Sequence, residues 1–207
     1  MKIYKSILTI AVAFLFVLLC SCKSKIKESE PLTFDNGKLT VAFDYVKQSG
    51  YASNQFAVWI EDMDGNFIKT LYATQFTASG GYKNRSDAIP GWVERSGLSS
   101  KTKSEVDAVT SATPKAGALS YEWDLTDMNG SVVPPGEYKF FVEGSLRWKN
   151  RVLYSGTIEI GCDQTMAQAE AEYFYEGTDS QPALSGDSPE NAMISAVTAS
   201  FTPTMEQ

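Results

Sequence analysis

The sequence predicts an all-β fold, an antiparallel sandwich with one long inserted loop. Apolar and polar residues alternate in several segments, as at 39–45, with the period of a half-buried strand. Asp- and Gly-containing turns separate these short segments, which is typical of a sandwich. Residues 78–120 interrupt the rhythm with glycines, prolines and a Ser/Thr/Lys run. A loop of that length in a domain is usually functional or disordered, so any function is predicted to lie there.

The predicted strands follow one another along a domain at 35–203. They lie at 39–45, 55–61, 67–74, 138–142 and 151–160, with another beginning at Tyr121 and two more at 169–175 and 193–201. The hairpin between the second and third strands is predicted from Asp64-Gly65, a strong two-residue turn signal. A Pro/Gly/Ser-rich stretch at 177–191 separates the last two strands.

The N-terminus predicts an exported protein. Lys2 and Lys5 precede an apolar run from Ile7 to Cys20. This run is shorter than the roughly 20 residues that span a bilayer, and a basic start before a short apolar core is typical of a secretory signal. Residues 1–21 are therefore predicted to be a lipoprotein signal peptide.

The end of this segment predicts a lipid anchor. Leu19-Cys20-Ser21-Cys22 resembles the bacterial lipoprotein box, in which a small residue precedes the acylated cysteine. Cys22 is the predicted lipidation site, because Ser21 is small whereas Leu19 before Cys20 is large. Residues 22–34 are predicted to be a flexible tether. The alternatives are an ordinary cleaved signal and an N-terminal anchor helix.

The predicted location is the bacterial cell envelope, with the protein lipid-anchored in the outer membrane and facing the periplasm. Some related lipoproteins carry an acidic surface-export signal after the lipidated cysteine. Here Lys23-Ser24-Lys25 follows Cys22, which favours the periplasmic side.

Charge and composition exclude several classes of function. The formal net charge is −7, so nucleic acid is not an expected partner and basic patches are not expected to hold the chain on anionic lipid. The sequence has no histidine, which excludes Ser-His-Asp and Cys-His catalysis as well as His-ligated zinc. No catalytic residue and no metal site is predicted, and the protein is not expected to be an enzyme.

Cys162 is the cysteine that remains when Cys20 is discarded and Cys22 is acylated, so no internal disulfide is expected. It follows the strand-like segment TIEIG and has no histidine to activate it. We therefore predict that it is a small buried hydrophobe.

Two turns, DMDGN at 62–66 and DMNGS at 127–131, resemble fragments of a calcium loop. Such a loop needs a bidentate acid at its twelfth position. Those positions are occupied here by Ala73 and Tyr138, which cannot serve. Both turns are therefore predicted to be hairpin connections.

The segment YEWDLTDMNGSVVPPGEYKFFVEG at 121–144 resembles a motif of immunoglobulin-like modules, including those of flagellar hook-capping proteins. The matching residues are Trp123, Asp124, Asp127, Gly130, Gly136 and Tyr138. Trp123 and Tyr138 are expected to fill the core. Asp124 and Asp127 are expected to accept backbone N–H groups, and Gly136 permits a positive φ. The resemblance implies an immunoglobulin-like antiparallel β-sandwich and carries no functional content.

Together with the hairpin VWIEDMDGNFIKTL at 58–71, these segments resemble a family of predicted periplasmic bacterial proteins of unknown function, domain of unknown function 2271. The resemblance covers about residues 35–203. It implies a location in the envelope and no established enzyme activity.

The sharpest chemical signal is Asp107-Ala108-Val109-Thr110-Ser111-Ala112-Thr113. It resembles the acceptor sequence of covalent-flavin proteins, D-x-x-[ST]-[GS]-A-[ST]. The resemblance implies that a flavin transferase joins FMN through its phosphate to the hydroxyl of the last Thr, here Thr113. Asp107, Thr110, Ser111 and Ala112 are the other matching positions. Pro114 biases Thr113 towards an extended backbone, which suits presentation to a transferase.

Three lysines lie near this motif, and two positions depart from the acceptor pattern. Lys101, Lys103 and Lys115 lie close in sequence and are candidates to neutralise the phosphate. Gly is commoner than Ser at the position of Ser111, and Lys115-Ala116 replaces the Ser/Thr pair that often follows the acceptor. The alternative interpretation is a solvated Ser/Thr/Ala loop between strands.

The sequence thus leaves two hypotheses for function. The first is an electron-transfer protein that carries FMN on Thr113 and exchanges electrons with a redox partner. The second is a non-redox adhesion or assembly module that binds a partner protein or a glycan. Trp92 and Trp148 lie beside turns and are the aromatic residues predicted to be exposed for stacking on a sugar.

Overall fold

The structure is a computed structural model that describes residues 37–49, 53–101, 110–147, 149–176, 185 and 188–204. The predicted signal peptide 1–21, the tether 22–34 with Cys22, and also Lys103, Asp107 and Trp148 lie outside the described residues. In the described part of the chain, no helix has the length and apolar character needed to cross a bilayer.

The described residues form ten strands. These are β1 (Gly37–Tyr45), β2 (Phe56–Asp62), β3 (Phe67–Thr74), β4 (Thr110–Ser111), β5 (Gly117–Trp123), β6 (Gly136–Ser145), β7 (Arg151–Ile160), β8 (Thr165–Gln168), β9 (Glu170–Phe174) and β10 (Ile194–Pro203). Two short helices, α1 (Gln75–Ala78) and α2 (Pro90–Arg95), follow β3. Short 3-10 helices span Gly81–Lys83, Leu98–Ser100 and Pro189–Met193.

The strands form two sheets, which confirms the all-β sandwich. The smaller sheet has the order β5-β1-β10-β8, and the larger has the order β4-β3-β2-β6-β7-β9. Neighbouring strands pair antiparallel in both sheets, apart from a short parallel pair of β3 with β4. The immunoglobulin-like assignment of 121–144 stays a prediction.

The main core lies between the two sheets and follows from the alternation of apolar residues. In β1, the residues at every second position from Leu39 to Tyr45 are at most 3% exposed. Trp123 is fully buried and packs edge-on against Tyr138, with ring centroids 5.3 Å apart. The predicted core positions of both residues are confirmed.

A second apolar cluster covers the outer face of the larger sheet. Trp59 of β2 and Phe141 of β6 stack there with ring centroids 5.0 Å apart, beneath Ile89 and Trp92 from the segment after β3. As a result, β2 is buried on both faces, and its residues from Phe56 to Glu61 are all buried. The inserted segment therefore completes a second core.

This packing corrects part of the loop prediction. Residues 78–120 contain α2 and two 3-10 helices, and Gly117–Ser120 already belong to β5, which begins before the predicted Tyr121. Trp92 was expected to be exposed but is 1% exposed, because α2 presses it onto the outer face of the sheet. The prediction that Trp92 forms a sugar platform is wrong.

The prediction for Cys162 is also wrong. Its thiol is exposed, because the residue lies in the turn after β7 and not within the strand. The strand predicted at 169–175 is β9, and the structure adds a strand before it, β8, that was not predicted and belongs to the other sheet. β8 pairs with β10, β9 pairs with β7, and the chain changes sheet at Ala169.

The turn at 62–66 joins the paired strands β2 and β3, as predicted, whereas the turn at 127–131 lies between strands of different sheets, β5 and β6, and is closed by an isolated bridge between Thr126 and Val132. Gly65 and Gly130 have positive φ angles of 84° and 81°, and Gly136 reaches 150°. Asp127 Oδ1 accepts the backbone N–H groups of Asn129 and Ser131, and Asp124 accepts that of Thr126. The Asp127 carboxylate is therefore held within its own turn, whereas Asp124 also pairs with Lys69 of β3 at 2.9 Å.

Candidate functional site

The acceptor segment, residues 110–115, lies where the chain passes from one sheet to the other. Thr110 and Ser111 form β4 at the edge of the larger sheet, where they pair in parallel with Ala73 and Thr74. The next strand, β5, is the edge strand of the smaller sheet. The segment therefore bridges the open side of the sandwich. Thr110 and Ser111 were expected in a loop, and their strand pairing corrects that expectation.

A tyrosine from the core forms a hydrogen bond with the backbone of this crossover. The Tyr72 hydroxyl donates a hydrogen bond to the Ala112 carbonyl at 3.1 Å. The Tyr72 ring is 6% exposed and lies between Phe56 and Tyr121, with centroid distances of 4.9 Å and 4.6 Å. The backbone immediately before Thr113 is thus tied to the packed interior.

Thr113 itself is exposed, as are Ala112 and Lys115. Pro114 is half-buried and keeps the preceding backbone away from the helical region. A threonine hydroxyl is a weak nucleophile that reacts only when a base removes its proton. The Thr113 side chain is therefore accessible from solvent. Lys101 is half-buried, near the end of the described part of the insertion.

The helix next to the acceptor segment carries an exposed aromatic ring. Helix α1 follows β3 directly and contacts β4, and its Phe76 is 51% exposed. The next turn places Lys83 over the ring of Tyr82, with Nζ 5.9 Å from the centroid. The sequence analysis did not single out Phe76, because TQFTASGG lacks a periodic apolar pattern that distinguishes it.

A buried carboxylate holds the inserted segment on the larger sheet. Glu143 of β6 is fully buried and accepts hydrogen bonds from the backbone N–H groups of Gly91 and Trp92 at 3.1 Å and 2.8 Å. Arg151 Nη1 lies 3.2 Å from the same carboxylate. Burial raises the pKa of Glu143, and the hydrogen bonds and Arg151 oppose that rise. This arrangement anchors α2.

A second buried carboxylate, Glu61, holds the other end of α2 on the larger sheet. Glu61 of β2 accepts hydrogen bonds from the Trp59 indole N–H at 2.7 Å and from Arg95 at 2.6 Å. The Arg95 guanidinium also lies 5.3 Å from the centre of the Phe141 ring. Both carboxylates are hydrogen-bonded and ion-paired to groups of the protein, so we interpret them as structural.

Next to Arg95, a polar groove of about 670 Å³ opens on the outer face of the larger sheet. It is lined by two cations, several carboxylates and uncharged hydrogen-bonding groups, among them Arg95, Lys139, Ser155, Thr157, Gln168 and Glu170. Such a mixture of donors and acceptors suits a polar ligand.

Within the described ranges, no three His, Cys, Asp or Glu side chains come together in the manner of metal ligands. Asp62 and Asp127, the first residues of the two turns that resemble calcium loops, have lowered pKa values. For Asp62 the main cause is the Asn66 side chain, and for Asp127 it is the backbone N–H of Ser131.

Comparison with known proteins identifies a family. The model of a family described as a predicted periplasmic protein, DUF2271, matches residues 36–176, about two thirds of the chain. The match includes the inserted segment and the acceptor segment and ends before β10. No curated protein and no solved structure shows a significant match.

Proposed function

The chain belongs to the DUF2271 family of predicted periplasmic proteins, and from this premise we propose that it is a membrane-tethered lipoprotein carrying covalent FMN on Thr113 for electron transfer outside the cytoplasm. Lipid on Cys22 tethers the domain to the outer membrane, on its periplasmic side. The domain has no catalytic machinery of its own.

The placement of Thr113 is the observation that carries the proposal. The D-x-x-[ST]-[GS]-A-[ST] sequence ends at an exposed hydroxyl on the crossover between the two sheets. The hydrogen bond from Tyr72 to Ala112 limits the movement of the residue before it. A transferase therefore meets an extended peptide whose neighbouring backbone is already ordered, which reduces the entropy lost on binding.

Attachment is a phosphoryl transfer from flavin adenine dinucleotide. A base on the flavin transferase removes the Thr113 hydroxyl proton, and Oγ forms a bond to the phosphorus nearest the ribityl chain. The pyrophosphate bond breaks and AMP leaves with the bridging oxygen. The product is an FMN phosphodiester on Thr113, and no electron is transferred in this step.

The attached flavin supplies two-electron redox chemistry. It would exchange these electrons with a redox partner outside the cytoplasm. The chain's own contribution is to hold the carrier at the exposed edge of the sandwich, within reach of that partner. Lys115, exposed and two residues after the acceptor, lowers the electrostatic cost of the phosphodiester charge.

Co-expression with a flavin transferase tests this function. The purified protein is denatured, which strips unattached flavin, and in-gel fluorescence and intact mass are recorded. Wild type is expected to be fluorescent and heavier by one FMN, whereas Thr113→Ala is expected to be dark. Circular dichroism checks that the variant remains folded.

Thr110→Ala is the matched control, because it removes a hydroxyl of the same segment that is not the acceptor. It is expected to retain covalent flavin. A wild-type band that stays dark beside a transferase active on another substrate overturns the electron-transfer function.

The polar groove favours a second candidate function, a non-redox adhesion or assembly module that binds a glycan or a partner protein. Its hydroxyl, amide, carboxylate and cationic groups match the hydrogen-bonding needs of sugar hydroxyls. Calorimetric titration with an N-acetylglucosamine tetramer tests this candidate. Saturable heat that is lost in Thr157→Val, with an unchanged melting temperature, supports it. If millimolar sugar gives no heat of binding, the hypothesis that the module binds a glycan is contradicted.

A further inference from the structure

Phe76 presents part of its aromatic ring to solvent. Its side chain is 51% exposed, whereas Thr77 and Ala78, the next residues of α1, are buried. Leaving a phenyl ring half in water forgoes part of the roughly 2 kcal/mol that burying it contributes. A rigid exposed aromatic ring is a ready surface for another flat ring.

The orientation of this ring is set by Gly81. A Cβ atom built on Gly81 would lie 2.6 Å from Phe76 Cε1 and 2.4 Å from the Phe76 carbonyl oxygen. The absence of a side chain at Gly81 therefore allows the phenyl group to rest directly on the backbone. One side of the ring is packed against the protein, and the rest is presented to solvent.

The register of the parallel pair brings the chain that leads to Thr113 alongside the helix that carries this ring. Ala73 is paired with Thr110 and Thr74 with Ser111, so the chain after β4 leaves the sheet beside the start of α1. Neighbouring strands are about 4.8 Å apart. The ribityl phosphate chain of FMN reaches about 10 Å, the span of three extended peptide units. An isoalloxazine ring joined to Thr113 has the reach to cover Phe76.

We propose that Phe76 is the docking platform for the isoalloxazine ring of the flavin on Thr113. This inference rests on the proposed flavin attachment and adds the residue that holds the redox-active ring. Stacking on Phe76 immobilises the ring at the sheet edge and shields one of its faces, while the other face stays accessible to redox partners.

Two tryptophan substitutions in the flavin-loaded protein test whether Phe76 is the platform. In Phe76→Trp, an indole replaces the phenyl ring. The indole donates an electron to the excited flavin stacked on it, which quenches the flavin fluorescence. At equal flavin content, the folded variant is expected to lose flavin fluorescence relative to folded wild type. Met166→Trp is the matched control, since Met166 is 75% exposed on β8, the edge strand at the opposite side of the smaller sheet. It is expected to leave the fluorescence unchanged.

A second variant gives an independent readout. Phe76→Ser removes the platform at a position whose side chain the core does not need, and is expected to lower flavin fluorescence anisotropy and increase quenching by iodide. The flavin content of each variant is measured after denaturation.

The outcomes separate the two levels of the hypothesis. Wild type without covalent flavin overturns both the electron-transfer function and the platform. Full flavin content, with fluorescence in Phe76→Trp and anisotropy in Phe76→Ser equal to wild type, overturns the platform alone. Loss of attachment in Phe76→Ser, with fluorescence unchanged in Phe76→Trp, would assign Phe76 to transferase recognition and also overturn it.

Discussion

The backbone N–H of Trp92 donates a hydrogen bond to Glu143 Oε2 at 2.8 Å, which joins the inserted segment to the centre of the larger sheet. Glu143 is fully buried, and the same carboxylate also meets Gly91 and Arg151. A buried carboxylate of this kind is tolerated because its oxygens are hydrogen-bonded. The insertion is consequently part of the folded domain over its described residues.

Glu143 predicts a specific dependence of stability on pH. Burial raises the pKa of its carboxyl above the ordinary value of 4.5, so at pH values between 4.5 and the folded-state pKa the folded state holds a proton that the unfolded state has released. Its contribution to stability is full below about pH 4.5 and is lost as pH rises through the folded-state pKa. We expect the unfolding free energy of wild type to fall over this window relative to that of Glu143→Gln. Each pKa unit corresponds to about 1.4 kcal/mol, so the size of the fall measures the elevation.

Urea unfolding at a series of pH values measures this difference. Glu122→Gln is the control, because Glu122 is exposed on β5 and pairs with an exposed Lys38, each side chain 58% exposed. Its difference from wild type is expected to stay within about 0.5 kcal/mol throughout. A pH-independent difference for Glu143→Gln would contradict the assigned direction of the pKa change.

Trp123→Ala is expected to destabilise the domain by about 3–5 kcal/mol, as a large-to-small change in a packed core. Trp123 is fully buried, stacks edge-on with Tyr138 and donates its indole N–H to the Thr126 carbonyl at 2.7 Å. Denaturant unfolding gives the value. Val46→Ala is the surface control, since Val46 is 54% exposed, and is expected to change stability by less than about 0.5 kcal/mol. A loss of less than about 1 kcal/mol for Trp123→Ala would show that the core repacks around the gap.

Cys22→Ser is expected to release the protein from membranes into the soluble fraction, because acylation requires the thiol. Cys20→Ser is the matched control and is expected to stay in the membrane fraction. Fractionation of envelope preparations followed by immunoblotting distinguishes them. If Cys22→Ser remained in the membrane fraction, the apolar run from Ile7 to Cys20 would be the anchor itself.

The main architecture was predictable from local patterns in the sequence. Alternation at 39–45 identified β1, Asp64-Gly65 located the β2–β3 hairpin, and the residues around Trp123 predicted a buried strand end. Each of these features depends on neighbours in the chain, because side chains alternate across a strand and a tight turn needs particular residues.

Other features depend on contacts between distant residues and left no local pattern. Trp92 is buried because α2 packs on Trp59 and Phe141, and the sequence around Trp92 does not record that partner. The same holds for Glu143. The alternation of its strand predicts that it faces solvent, but the insertion covers it. Cys162 shows the reverse error: the apolar strand before it predicted burial, but the strand ends at Ile160.

Some features of the candidate site were likewise predictable from the sequence, and others depended on the tertiary structure. By itself the sequence determined the acceptor pattern ending at Thr113 and the two-residue periodicity of the strands, because short motifs and alternation are properties of consecutive residues. Only the tertiary structure decided that Thr113 lies exposed on the crossover between sheets, that Tyr72 reaches from the core to Ala112, and that the helix carrying Phe76 lies next to the acceptor segment. These relationships join residues about 40 positions apart, and the packing of two sheets and an insertion, which no local pattern encodes, brings them together.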